Sequence, residues 1–151
     1  MALDRLTTGD KVLALSTLAF VLSMFLPWFG QGPRSTRGWD YAFFGIVPLV
    51  LVVASTGMAL TRRLTGTSLP ELPVPMSQLA LTDAGVAALL VLVKVVLGDD
   101  ETVLDVTVEL RRRFGIFLAL AASAGACLGA SLNVPSVDDA PSHGPLPPHP
   151  S

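Results

Sequence analysis

Two charged residues stand in a stretch that would otherwise be at home in oil. In LALTDAGVAALLVLVKVVLG, residues 79–98, they are Asp83 and Lys94. On a helix, 11 positions bring them within about 20° of one face and leave them ~16 Å apart along the axis. That is too far for a salt bridge, so each needs its own account. Lys94 lies three residues before Leu97, and its long stem is expected to snorkel to the membrane interface. Asp83 has a short side chain and sits ~10 Å inside a helix that starts at Met76. A carboxylate at that depth costs about 2.5–3.5 kcal/mol on insertion scales, which marks a candidate site. It would serve as an ion relay or bond to Ser55 or Ser123. Membrane entry at Leu79 or later would instead put Asp83 at the interface, near the positive end of the helix, and Gln78 and Thr82 suit that placement.

The other chemistry-bearing residues are few. Asp99, Asp100 and Glu101 offer oxygen ligands for a divalent cation, without the spacing of a known calcium loop. His143 and His149 both fall in a proline-rich tail. Cys127 is the single cysteine, so the chain can build neither a disulfide nor a thiolate metal site by itself. It reads as a small packing residue. No nucleophile–base pair, phosphate loop or dinucleotide fingerprint is present. The sequence therefore predicts no catalytic, cofactor-binding or metal-ligating residues, and no enzyme. A net charge of −2 gives no basic surplus for nucleic acid.

The elements that would position these residues are apolar. Of 151 residues, 51% are hydrophobic and 15% charged, against about 25% charged in soluble domains. Four segments are long enough to span a bilayer as helices, at about 12–29, 41–61, 76–97 and 114–132. The first follows Arg5 and Lys11 as a signal peptide would, but LPWFG offers no small-residue cleavage site. It reads as an uncleaved anchor. Thr7 or Thr8 caps it, with Asp10 in the first turn. Pro48 should kink the second helix. The fourth is rich in small residues, and Gly125-Ala-Cys-Leu-Gly129 matches a G-x-x-x-G contact, read first as packing within the bundle and second as homo-oligomerisation.

The polar hairpin QGPRSTRGWD, residues 31–40, joins the first two spans. Trp28, Trp39 and Tyr41 flank it as an interfacial aromatic belt; the alternative is a ligand-binding face of Trp28 and Trp39, and Trp39 and Asp40 are the hairpin's candidate functional residues. RRLTGTSLPELPVP, residues 62–75, reads as a stiff extended connector. The third loop, 98–113, runs from acidic to basic, and Val103, Val106, Val108 and Leu110 suit a short interfacial helix or strand. Residues 133–151 hold six prolines and little to bury, and are expected to be disordered. The fold class is thus an all-α transmembrane bundle of four helices, residues 1–132, with a disordered tail.

LDRLTTGDKV, LPWF, GWD, LPELPVP and FGIFLAL, in that order, resemble a group of uncharacterised small four-helix integral membrane proteins of actinobacteria, over roughly residues 3–130. The resemblance implies cytoplasmic N- and C-termini in the cell membrane and an outward-facing GWD hairpin. It supplies no catalytic residues. Counting basic residues gives four on the N-terminal side and five on the other, so the positive-inside rule does not choose. The expected function is that of a non-catalytic accessory or scaffold subunit in the cell envelope. Its partners would be the lipid bilayer and a membrane protein or a second copy. The alternative is a small oligomeric channel or transporter with Asp83 in a shared pore.

Overall fold

The structure is a computed structural model, and it describes residues 6–65, 76–103 and 106–134. Its four long helices are α1 (Thr8–Phe25), α2 (Val47–Thr65), α3 (Met76–Leu97) and α4 (Phe114–Ser131). With the turn that leads into α2, all four are long and apolar enough to cross a membrane.

The first helix lies four residues earlier than hydropathy suggests. Thr7 caps it: its hydroxyl accepts from Asp10 N at 3.2 Å, and Asp10 Oδ2 accepts from Thr7 N at 3.0 Å. This reciprocal pair satisfies two orphan donors and fixes the start. Pro27 disfavours helical backbone at Leu26, so the helix stops at Phe25. Pro27–Phe29, counted in the predicted span, are strand.

The bundle carries β structure at one end, which corrects the all-α expectation. Strands β1 (Pro27–Gln31) and β2 (Arg34–Arg37) form a hairpin that reverses through Gly32, whose φ of 60° suits a glycine. From the third loop, β3 (Asp100–Val103) pairs with β4 (Val106–Glu109), and β5 (Arg111–Arg112) joins the free edge of β1. The resulting sheet has the order β2-β1-β5. The cause is backbone accounting. Two loops emerge side by side above an apolar bundle, and pairing them satisfies donors and acceptors that would otherwise be stranded.

A 3₁₀ turn (Gly38–Asp40) and a π-helical turn (Ala42–Ile46) lead into α2. Gly45 makes this possible, because a Cβ there would collide with the Gly38 carbonyl oxygen. Pro48 is then the second residue of the α-helix, directly after the π-helical turn, so its missing N–H falls where the helical ladder has already widened.

Two apolar clusters fill the interior. Beneath the cap, Phe20, Met24, Trp28, Phe29, Val91 and Ile116 interlock; further down lie Leu13, Val52, Ala84, Ala87, Ala126 and Ala130. Small residues let α1 and α4 approach closely. A Cβ on Gly129 would meet Leu13 N at 2.7 Å and Gly9 O at 2.9 Å, and one on Gly125 would meet Ser16 Oγ at 2.5 Å. Gly125 and Gly129 therefore pack inside the bundle. The outer faces carry Leu15, Leu18, Val50, Leu89, Phe117 and Leu128, all exposed.

At the far end from the cap, Asn133 ties the bundle shut. Its Nδ2 donates to Asp10 Oδ1, and its Oδ1 accepts from Thr7 Oγ1, both at 2.8 Å. Asn133 thus belongs to the folded bundle rather than to the tail. Residues 135–151, the remainder of the expected disordered segment, lie outside the described residues, as do 66–75 of the connector.

Candidate functional site

The densest polar chemistry lies beneath the cap, where α3 ends. Lys94 does not snorkel into water. Its side chain is 10% exposed, and Nζ donates to Gly98 O at 3.0 Å and to Asp99 Oδ1 at 2.9 Å. The ammonium also faces three rings, with centroids at 4.4 Å (Tyr41), 5.2 Å (Phe29) and 5.9 Å (Phe44). The reason is the cap itself. It covers the end of α3, so the stem meets protein where the sequence suggested open interface, and the charge needs a buried partner.

Asp99 supplies that partner and one more contact. Its Oδ2 accepts the phenol hydrogen of Tyr41. Since Tyr41 donates there, Thr36 Oγ1 is left to donate to the phenol oxygen, at 2.6 Å. Thr36 comes from β2, Tyr41 from the turn just before the second span, and Asp99 from the third loop. Leu110 N donates to Asp99 O at 2.9 Å, closing the base of the β3–β4 hairpin. One chain of polar contacts thus joins both loops to α3. Burial raises the Tyr41 phenol above its ordinary pKa; the Asp99 hydrogen bond adds to this, the Thr36 bond opposes it, and the charges of Asp99 and Asp40 reinforce it. Tyr41 therefore stays a proton donor. Both Asp99 oxygens are engaged, Oδ1 by Lys94 and Oδ2 by Tyr41. Among the described residues no three His, Cys, Asp or Glu side chains gather as a metal site.

Trp28 is fully buried, against the expectation of an aromatic belt. Its Nε1 donates to Ser23 O at 2.9 Å, and its ring stacks on Tyr41 with centroids 6.1 Å apart. Gly38 makes room for it: a Cβ there would meet the indole at 2.9 Å. Trp39 is 42% exposed and meets Phe25 edge-on at 5.6 Å. Asp40 turns back to accept from Arg37 N at 2.6 Å. Trp39 and Asp40 stand on the rim of the cap, outside the polar chain.

Asp83 is apart from all of this. It lies on the flank of the buried stripe Ala80–Ala84–Ala87 of α3, partly exposed, and has no hydrogen-bond partner among the described residues. Neither expected serine reaches it. Ser55 Oγ donates to Leu51 O at 2.9 Å and Ala80 O at 3.2 Å, and Ser123 Oγ to Leu120 O at 3.0 Å. Both serines satisfy helix carbonyls instead.

Sequence reasoning missed Thr36 and the roles of Tyr41 and Asp99. The signals present were a Tyr directly after GWD and a Lys five residues before an Asp. Only the pairing of the two loops makes them neighbours. No known protein family, curated protein or solved structure matches this chain.

Proposed function

We propose that this chain is a four-span integral membrane protein whose cap is a rigid contact platform, acting as a non-catalytic accessory or scaffold subunit in the cell envelope. The observation that carries the reading is the polar chain Thr36–Tyr41–Asp99–Lys94. It locks two loops into one folded surface instead of presenting reactive groups to a ligand. Outside it stand the features suited to recognition: Trp39 and Asp40 on the rim, the free edge of β2, and the acidic hairpin bearing Asp100 and Glu109. The exposed apolar belt supports membrane insertion. The resemblance to actinobacterial four-helix proteins supports cytoplasmic termini and an outward cap.

The test is affinity purification from the native membrane in mild detergent, read by native mass spectrometry. A stoichiometric foreign subunit that is lost with Trp39→Ala/Asp40→Ala supports the reading. Isolation without partners, at native abundance and after cross-linking, contradicts it.

A second reading rests on Asp83, whose carboxylate has no partner among the described residues and, partly exposed, suits a contact between copies. In it the chain forms an oligomeric channel or transporter. Reconstituted vesicles would then show ion or proton flux that Asp83→Asn abolishes. Flux that is absent, or unchanged by the substitution, rejects it.

A further inference from the structure

Three consecutive arginines precede α4, and their strand geometry separates them. Alternation along an extended chain puts Arg111 and Arg113 on one face and Arg112 on the other. Arg112 is consumed at the end of α3: its Nε donates to Val95 O at 2.6 Å and its Nη2 to Val96 O at 3.1 Å. Arg113 lies across the β1–β2 hairpin, with Nη2 donating to Gly32 O at 3.2 Å and Nε 2.8 Å from where a Gly30 Cβ would stand. One of its five guanidinium donors is thus used by the hairpin. Arg111 is opposite Gly30 in the ladder and has no hydrogen-bond or ion-pair partner among the described residues.

Gly30, against which Arg113 Nε lies, and Gly32, with nothing within 4 Å of where a Cβ would stand, put no side chain between these two guanidinium groups. The result is an open cleft of about 510 Å³ lined by Gly30, Gln31, Gly32 and Arg111–Arg113. Among the described residues no carboxylate lines it. Glu109, two residues before Arg111, belongs to β4 and pairs in register with Asp100. Two arginines facing one cleft match the planar, multidentate recognition of a phosphate group.

The height of the cleft indicates which phosphate. Phe114, the residue after Arg113, is 70% exposed, and Val96 and Leu97, beside the Arg112 anchor, are each 69% exposed. The cleft therefore lies where the apolar belt gives way to the cap, the level of lipid phosphates. We infer that Arg111 and Arg113 form a binding site for the phosphodiester of an anionic phospholipid headgroup. The inference rests on the membrane reading above.

The experiment uses the full chain in nanodiscs of phosphatidylcholine, with and without phosphatidylglycerol, and counts lipids retained on the protein by native mass spectrometry. The wild type should retain phosphatidylglycerol selectively. Arg111→Gln/Arg113→Gln should weaken that retention about 30-fold, from about fivefold per basic residue at an anionic surface. Arg34→Gln/Arg37→Gln, which removes equal charge from β2, should weaken it far less. Where the double variant fails to fold, Arg111→Gln alone serves, since its side chain holds nothing in place. Equal loss in both double variants, or no lipid preference in a protein that does enter the discs, overturns the site. Full displacement of the lipid by millimolar inorganic phosphate, with phosphate binding equally tight in detergent, overturns the lipid as occupant. Failure to enter discs at all overturns the membrane reading instead.

Discussion

Tyr41 is the single tyrosine of the chain, which makes its environment directly observable. Burial and the Asp99 hydrogen bond hold its phenol above the ordinary value of about 10. Tyrosinate absorbance near 295 nm should therefore be absent from the folded protein at pH 11 and appear with a midpoint near 10 after denaturation. The folded state binds this proton more tightly than the unfolded state. The stabilisation is complete below the unfolded pKa and is lost as pH rises through the folded one. Tyr41→Phe should remove that alkaline loss, which denaturant titration above pH 10 would detect. An ordinary titration of the native phenol would contradict its placement beneath the cap. Lys94→Met should lower stability by about 3 kcal/mol, because it leaves the largely buried Asp99 carboxylate without its cation. Asp99→Asn should cost less, since Lys94 keeps the Gly98 carbonyl and three aromatic faces. Measurement is by unfolding in mixed micelles. At this scale the sequence was only partly informative. Asp83 and Lys94 attracted notice because charge is rare in apolar runs, yet the partner of Lys94 is set by a cap that no local pattern announces.

At the scale of elements, four helices could be read from hydropathy, and their boundaries from caps and prolines. Residues 76–97 and the start at Phe114 agree with expectation; the first helix shifts to Thr8–Phe25 because its capping box and Pro27 outrank apolar content. The strands were the hard part. Residues 31–40 suggested a hairpin and the valines after Asp100 a helix or strand, but β5 is two residues long and exists only because β1 lies beside it. Close packing of α1 on α4 gives a graded prediction. Gly129→Ala should destabilise by about 1–3 kcal/mol, since its Cβ would strike backbone atoms at 2.7 and 2.9 Å. Gly125→Ala should cost less, as the obstacle is the rotatable Ser16 hydroxyl. Gly57→Ala and Gly85→Ala, with nothing within 4 Å, should be neutral or stabilising by up to about 1 kcal/mol. Thermal melts of the four variants in one detergent test the order. Equal losses at Gly129 and Gly85 would contradict the interface.

For the molecule as a whole, composition announced an apolar exterior before any element was placed, because 15% charged residues cannot cover a soluble surface of this size. The folded cap was not foreseeable in the same way. It depends on two loops, whose paired residues such as Gly30 and Arg111 lie more than 80 positions apart, meeting above the same helix ends. In the proposed membrane arrangement the cap lies on one side of a bilayer and the Thr7–Asp10–Asn133 knot on the other. Cys127 is the one native cysteine, so Cys127→Ala gives a background for single-cysteine mapping. Cysteines placed at Gln31 in the cap, Lys11 near the knot and Leu18 on the belt would be probed with a membrane-impermeant maleimide in sealed vesicles of both orientations. A bundle that spans the membrane should label at Gln31→Cys and Lys11→Cys from opposite sides, and at Leu18→Cys from neither. Labelling of the first two from the same side, or ready labelling of Leu18→Cys, would contradict a capped bundle that spans the membrane.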